Sequence, residues 1–160
     1  MINKGLSDEL LSYFERCIKF YESFLQLETN KYNDVVHNIL SALDQHVKDE
    51  QVYMLKAKGL EIERDKLVAR TENSEATFRE LIPLLDDSVR EQAKEHYESL
   101  SMILLNIKEV NNRCNRLTEL KLRQVQGYLR KLENQNDTQK TYDNQAKESV
   151  APLSMVSRKV

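Results

Sequence analysis

Three observations predict an all-α fold, an elongated antiparallel helical bundle or coiled coil with long helices and a flexible C-terminal tail. Glycine occurs three times and proline twice, while charged residues make up 31% and apolar residues 40% of the chain, a balance typical of long helices. Val89, Ala93, His96, Leu100, Ile103, Ile107, Val110, Cys114 and Leu117 recur at spacings of four and three, the mark of a helix packed along one narrow stripe against partner helices. After Leu132 the composition turns to Asn, Gln, Asp, Lys, Ser and Thr, yet closes with Val150, Leu153, Met155, Val156 and Val160, which a purely solvating tail would not need.

With 160 residues, the chain fits one helical domain over residues 1–133 and a tail over 134–160. Ser7 is placed to cap a first helix over about 7–30, in which Leu10, Phe14, Cys17, Tyr21 and Phe24 repeat the four-three spacing. That register fails at Glu28 to Asn33 and apolar residues resume at Val35, which predicts a break between about 30 and 41. Ser41 would cap a second helix over about 41–70, carrying Met54, Ala57, Leu60 and Leu67, with Gly59 in its middle costing about 1 kcal/mol relative to alanine. A short helix over 74–82 carries Phe78, Leu81 and Ile82 until Pro83 stops it. Asp86, Asp87 and Ser88 then offer a cap and negative charge to the long helix, expected over 86–132. At 1.5 Å per residue that helix is about 70 Å long, which suits an elongated bundle. Phe14, Tyr21, Phe24, Leu100, Ile103, Ile107 and Val110 are the expected buried core.

The chemistry classes narrow quickly. A formal net charge of -2 offers no field for nucleic acid. Glu15, Arg16 and Lys19 interrupt the Leu10–Leu27 stretch, so no signal segment or stable membrane insertion is expected and the chain reads as cytoplasmic. Cys17 and Cys114 fall on seam positions and read as buried free thiols. His37, His46 and His96 are scattered, and only Asp34 and His37 stand one turn apart, short of the paired Glu-x-x-His motifs of metal-binding bundles. Neither a phosphate loop nor a nucleophile elbow is present. No metal, cofactor or enzymatic activity is expected. Arg113, Arg116, Lys121, Arg123, Arg130 and Lys131 gather toward the end of the long helix, where solvation and the macrodipole account for them more simply than an acidic partner does.

Two apolar groups remain for a partner. Leu122, Val125, Leu129 and Leu132 lie on a stripe displaced from the main seam, and Gly127 weakens the helix there. In the tail, Val150, Leu153, Val156 and Val160 recur at three, three and four, one helical face suited to a groove once ordered from about Ser149.

The run Asn112-Arg113-Cys114-Asn115-Arg116-Leu117 resembles the Asn-x-x-Asn-x-Leu element of the FlgN-type flagellar export chaperones. As in that family it is followed by the Leu/Val stretch from Leu122 to Leu132, a polar spacer, Tyr142-Asp143 and a terminal Leu-x-x-x-x-x-Lys-Val over Leu153 to Val160. The resemblance implies a cytoplasmic chaperone without catalytic residues. Such a chaperone binds unassembled hook-associated (hook-filament junction) proteins and delivers them to the flagellar type III export gate. It places client binding at Leu122, Val125, Leu129 and Leu132 and gate docking at Tyr142; the spacing of Val150, Leu153 and Val156 adds these tail residues to the expected client surface. A homodimer stays open. The rival readings are a coiled-coil adaptor or scaffold that self-associates tightly, and a metal-dependent bundle built around Asp34 and His37.

Overall fold

The computed structural model describes residues 1–146, with side chains through residue 139. Among them the fold is all-α: α1 Lys4–Val36, a 3₁₀ turn Leu40–Ala42, α2 Leu43–Val68, α3 Phe78–Leu81, a second 3₁₀ turn Ile82–Leu84, and α4 Asp87–Ala146. The chain divides into a unit of residues Met1–Asn115 and a second unit beginning at Arg116.

Within the first unit the direction of packing follows from side-chain contacts. Glu9 pairs with Arg70, Tyr13 Oη donates to Leu60 O at 2.9 Å, Ser23 Oγ lies 2.5 Å from Tyr53 Oη and Asp34 Oδ2 lies 2.5 Å from His46 Nε2. Positions rise along α1 as they fall along α2, so the two are antiparallel. The start of α4 instead advances with α1: Ile2 N donates to Leu84 O at 2.8 Å, Asp86 N donates to Ser7 Oγ at 3.0 Å, and Glu15 Oε1 lies 3.6 Å from His96 Nε2. A third helical pass must run parallel to the first, and the link through α3 closes the end of the bundle where the core sits.

That core joins Leu6, Leu10, Phe14 and Cys17 of α1, Leu67 and Val68 of α2, Leu81 and Leu85 of the crossover, and Val89, Ala93 and Leu100 of α4. Phe78 meets the Phe14 ring edge-on at 4.8 Å between centroids, a favoured aromatic geometry. Burial fades along the helices. Of the expected core, Phe14 and Leu100 are buried, whereas Tyr21, Phe24, Ile103, Ile107 and Val110 are half-buried. The long helices of this unit are α1, α2 and α4, and short α3 covers only the end near the crossover, which leaves the rest of the seams partly exposed. Cys17 and Cys114 are buried and neither is in a disulfide, and burial pushes the Cys17 thiol above its ordinary range.

Several boundaries differ from the sequence expectation for local reasons. Asn3, not Ser7, caps α1 by accepting from Leu6 N at 2.9 Å. Ser7 is fully buried and serves as a hydrogen-bond acceptor for the start of α4. The break expected between about 30 and 41 falls late in that range, after Val36, so α1 runs past residue 30. Glu28 and Val35 continue the buried stripe of α1, and the helix ends where Asn38, at φ 58°, lets Ile39 N return to Asp34 O at 2.8 Å. Ser41 lies in the 3₁₀ turn, and α2 starts without a side-chain cap. Thr77 and Glu80 form a capping box for α3, so it begins later than Ser74. Ser88 N donates to Asp86 Oδ1 at 3.0 Å at the head of α4. That helix runs past Leu132 to Ala146, because no glycine or proline follows Gly127 within it to break it even where no seam remains.

A polar group holds the other end of the α1/α2 pair. Glu28 is 2% exposed; Lys31 Nζ lies 3.2 Å from its Oε2 and also bonds Glu50 Oε1 of α2. Burial and a hydrogen bond to the Glu50 carboxyl raise the Glu28 pKa to about 7. Burial also pushes Glu50 up, but its bonds to Glu28 and Lys31 outweigh that and hold it below the ordinary carboxylate range. Asp34, paired in the sequence reading with His37, meets His46 instead, while His37 Nδ1 contacts Asn33 O at 2.7 Å.

Two outcomes are expected. Phe14→Ala leaves a cavity in the one fully closed part of the core and should cost about 3–5 kcal/mol in denaturant unfolding. Because the folded state holds the Glu28 proton more tightly than the unfolded chain, its contribution to stability is full below about pH 4.5 and declines as pH rises toward 7. Glu28→Gln mimics the protonated carboxyl, so its unfolding free energy should match the parent at about pH 4 and exceed it by about 1–3 kcal/mol at about pH 8. An unchanged difference between the two proteins across that range would show that Glu28 ionises freely in the fold.

Candidate partner-binding site

The seam of α4 alternates as its spacing requires. Val89, Ala93, Leu100 and Cys114 are buried and His96, Ile103, Ile107, Val110 and Leu117 half-buried, while their flanking positions are mostly exposed. From Arg116 the helix belongs to the second unit, and the pattern inverts: Leu122, Val125, Leu129 and Leu132 are all exposed, Leu122 and Val125 at 56%. At 100° per residue these four, with exposed Tyr128, fall within about a third of the helix circumference. They form a contiguous apolar stripe of the kind that marks a contact surface.

The physical capacity of this stripe is adhesion, not catalysis. Leucine and valine offer apolar area, and Tyr128 adds a rigid ring with a polar tip. A Cβ at Gly127 would meet nothing within 4 Å, so that glycine does not serve close packing inside the described chain and only lowers local helix stability. Tyr128 is absent from the sequence reading, although its spacing of three from Val125 and four from Leu132 would have included it. Tyr142 falls within the range of α4, and its side chain is beyond the described ones; Val150, Leu153 and Val156 lie outside the described residues.

The alternative chemistries find little support in side-chain placement. Among the described residues no three His, Cys, Asp or Glu side chains are grouped to hold a metal ion, and Asp34 and His37 turn to different partners. No described helix is long and apolar enough to cross a membrane.

The profile of the FlgN protein family matches residues 1–149 of this sequence. That span takes in the buried core at the start of the bundle and the whole exposed stripe of α4. Comparison with curated proteins and with solved structures returns no match. With a family profile aligned over almost its full length and an all-α architecture to carry it, the chain belongs to the FlgN family, whose members are chaperones of flagellar export.

Proposed function

We propose that the protein is a cytoplasmic export chaperone that binds unassembled hook-associated proteins and delivers them to the export gate of the flagellar type III system. The observation that carries this reading is the stripe of Leu122, Val125, Leu129 and Leu132, exposed among the described residues. An unassembled junction subunit carries apolar helical surface destined for its neighbours, and that surface self-associates unless it is covered. A helix with anchors four and three residues apart can take the face of an amphipathic client helix by interdigitation.

Residues 134–160 form the second part of the proposal. Val150, Leu153 and Val156, spaced by three, would extend the client surface when residues from about Ser149 become helical. Tyr142 would dock to the gate. Ordering a segment on binding consumes about 2–5 kcal/mol of the gross interaction energy, and the resulting modest affinity suits a carrier that must release its cargo.

Two expected outcomes follow. Replacing Leu122, Val125, Leu129 and Leu132 together by glutamate should weaken binding of purified hook-associated protein by at least about a hundredfold, with the melting temperature held within about 2 °C because the positions are surface ones. Client binding unchanged in titration calorimetry would remove the stripe from the function. Deleting residues 149–160 should likewise leave melting unaltered and weaken client or gate binding; full binding to both partners would leave the tail without the role given to it.

A further inference from the structure

The second unit carries another stripe, on the opposite side of α4 from the apolar one. Arg116, Arg123 and Arg130 are seven residues apart and exposed, so they lie on one line at intervals of about 10.5 Å. None of the three meets a carboxylate among the described residues. This is unlike the first unit, where five of six arginines sit in ion pairs: Arg16, Arg64, Arg70, Arg90 and Arg113. The charges of the two units differ in the same sense. Residues 1–115 hold 15 basic and 21 acidic side chains, a net of -6, and residues 116–160 hold nine and five, a net of +4.

The matching surface is on this chain's own α1. Asp8, Glu15 and Glu22 repeat the same seven-residue interval and are exposed. Asp8 and Glu22 form no ion pair among the described residues, and Glu15 has only the imidazole of His96 at 3.6 Å. Two stripes with one period drift around their helices at the same rate, about 20° per heptad, so helices crossing at a shallow angle keep all three charges opposed. Guanidinium and carboxylate groups opposed in this way form paired, directional hydrogen bonds. Half-buried Leu11, Ile18 and Leu25, each three residues after one of the acids, supply apolar surface that such a contact would cover.

We propose that the Arg116/Arg123/Arg130 stripe is a docking surface for a second copy of this chain, seated on the Asp8/Glu15/Glu22 stripe of that copy. Each copy presents both stripes, so two copies that exchange them reciprocally form a two-fold dimer. The apolar stripe lies on the far side of the same helix and remains open to client, so the dimer and the client reading stand independently. An anionic bilayer is the weaker occupant: a membrane that buried the apolar stripe would leave these arginines a helix diameter away, about 10 Å, where salt screens them.

The test uses the full chain and its mass in sedimentation equilibrium at micromolar concentration. In about 50 mM salt the parent should be a dimer, and raising salt to about 500 mM should weaken the association at least about tenfold. The triple variants Arg116→Glu, Arg123→Glu, Arg130→Glu and Asp8→Arg, Glu15→Arg, Glu22→Arg should each be monomeric with parental circular dichroism. An equimolar mixture of the two should recover the dimer, since both contacts are then opposite in sign again. The proposal is overturned if the parent is a monomer in low salt, if its mass keeps growing with concentration, or if the mixture stays monomeric. It is also overturned if arginine reversal leaves the mass unaltered while abolishing binding to vesicles of anionic phospholipid, which would assign the stripe to a lipid surface.

Discussion

The start of α4 is held against the start of α1 by a small set of buried contacts, and the placement of every later residue in the first unit depends on them. Ala93 has no exposed surface and Ser7 none, and the Ser7 hydroxyl accepts the Asp86 N–H while Ile2 donates to Leu84 across the same junction. Leu81 and Leu85 are buried in the same core as Phe14. A backbone group buried at such a junction must find a partner, and here Ser7 and Asp86 lie 79 residues apart in sequence. The crossover through α3 is thereby pinned, and α4 is launched parallel to α1 with its seam already facing inward.

The gradient of burial away from that junction is the link between stability and function. Near the crossover, large apolar side chains are fully enclosed. Farther along α1 and α2 the inward face is occupied by Glu28, Lys31, Asp34, His46 and Glu50, whose pairings substitute for apolar packing. Such a buried polar group adds little net stability but opposes any shifted register, since a slip would strand a charge. In the second unit no apolar side chain is buried among the described residues. A helix that persists on local propensity leaves its leucines in water, where the proposed client contact would find them.

Two independent stripes on one stretch of helix follow from the same economy of structure. The apolar positions sit near one side and the arginines near the other, and neither is used by the chain's own described contacts. Family membership accounts for an exposed apolar surface in a chaperone. The arginine stripe finds its chemical complement in the evenly spaced acids of α1, of which Glu15 alone has a described partner, the His96 imidazole.

The helical class, the seam of α4 and the free thiols could be read directly from the chain, because periodicity and the scarcity of glycine and proline act locally. The Leu122-to-Leu132 stripe was legible for the same reason: its positions leave the main seam. The ordered motifs from Asn112 onward also identified the family. What required the folded chain was everything decided by neighbours distant in sequence. Ser7 resembles a cap by its local surroundings, and only the proximity of Asp86 makes it a buried acceptor. Glu28 looks like the end of a helix until Lys31 and Glu50 enclose it. Asp34 appears matched to His37 one turn away, yet the antiparallel turn brings His46 to it. The half-burial of Ile103, Ile107 and Val110 was likewise beyond a pattern of spacings, since periodicity states which face is apolar, whereas the number of helices that reach it determines how much of that face leaves water.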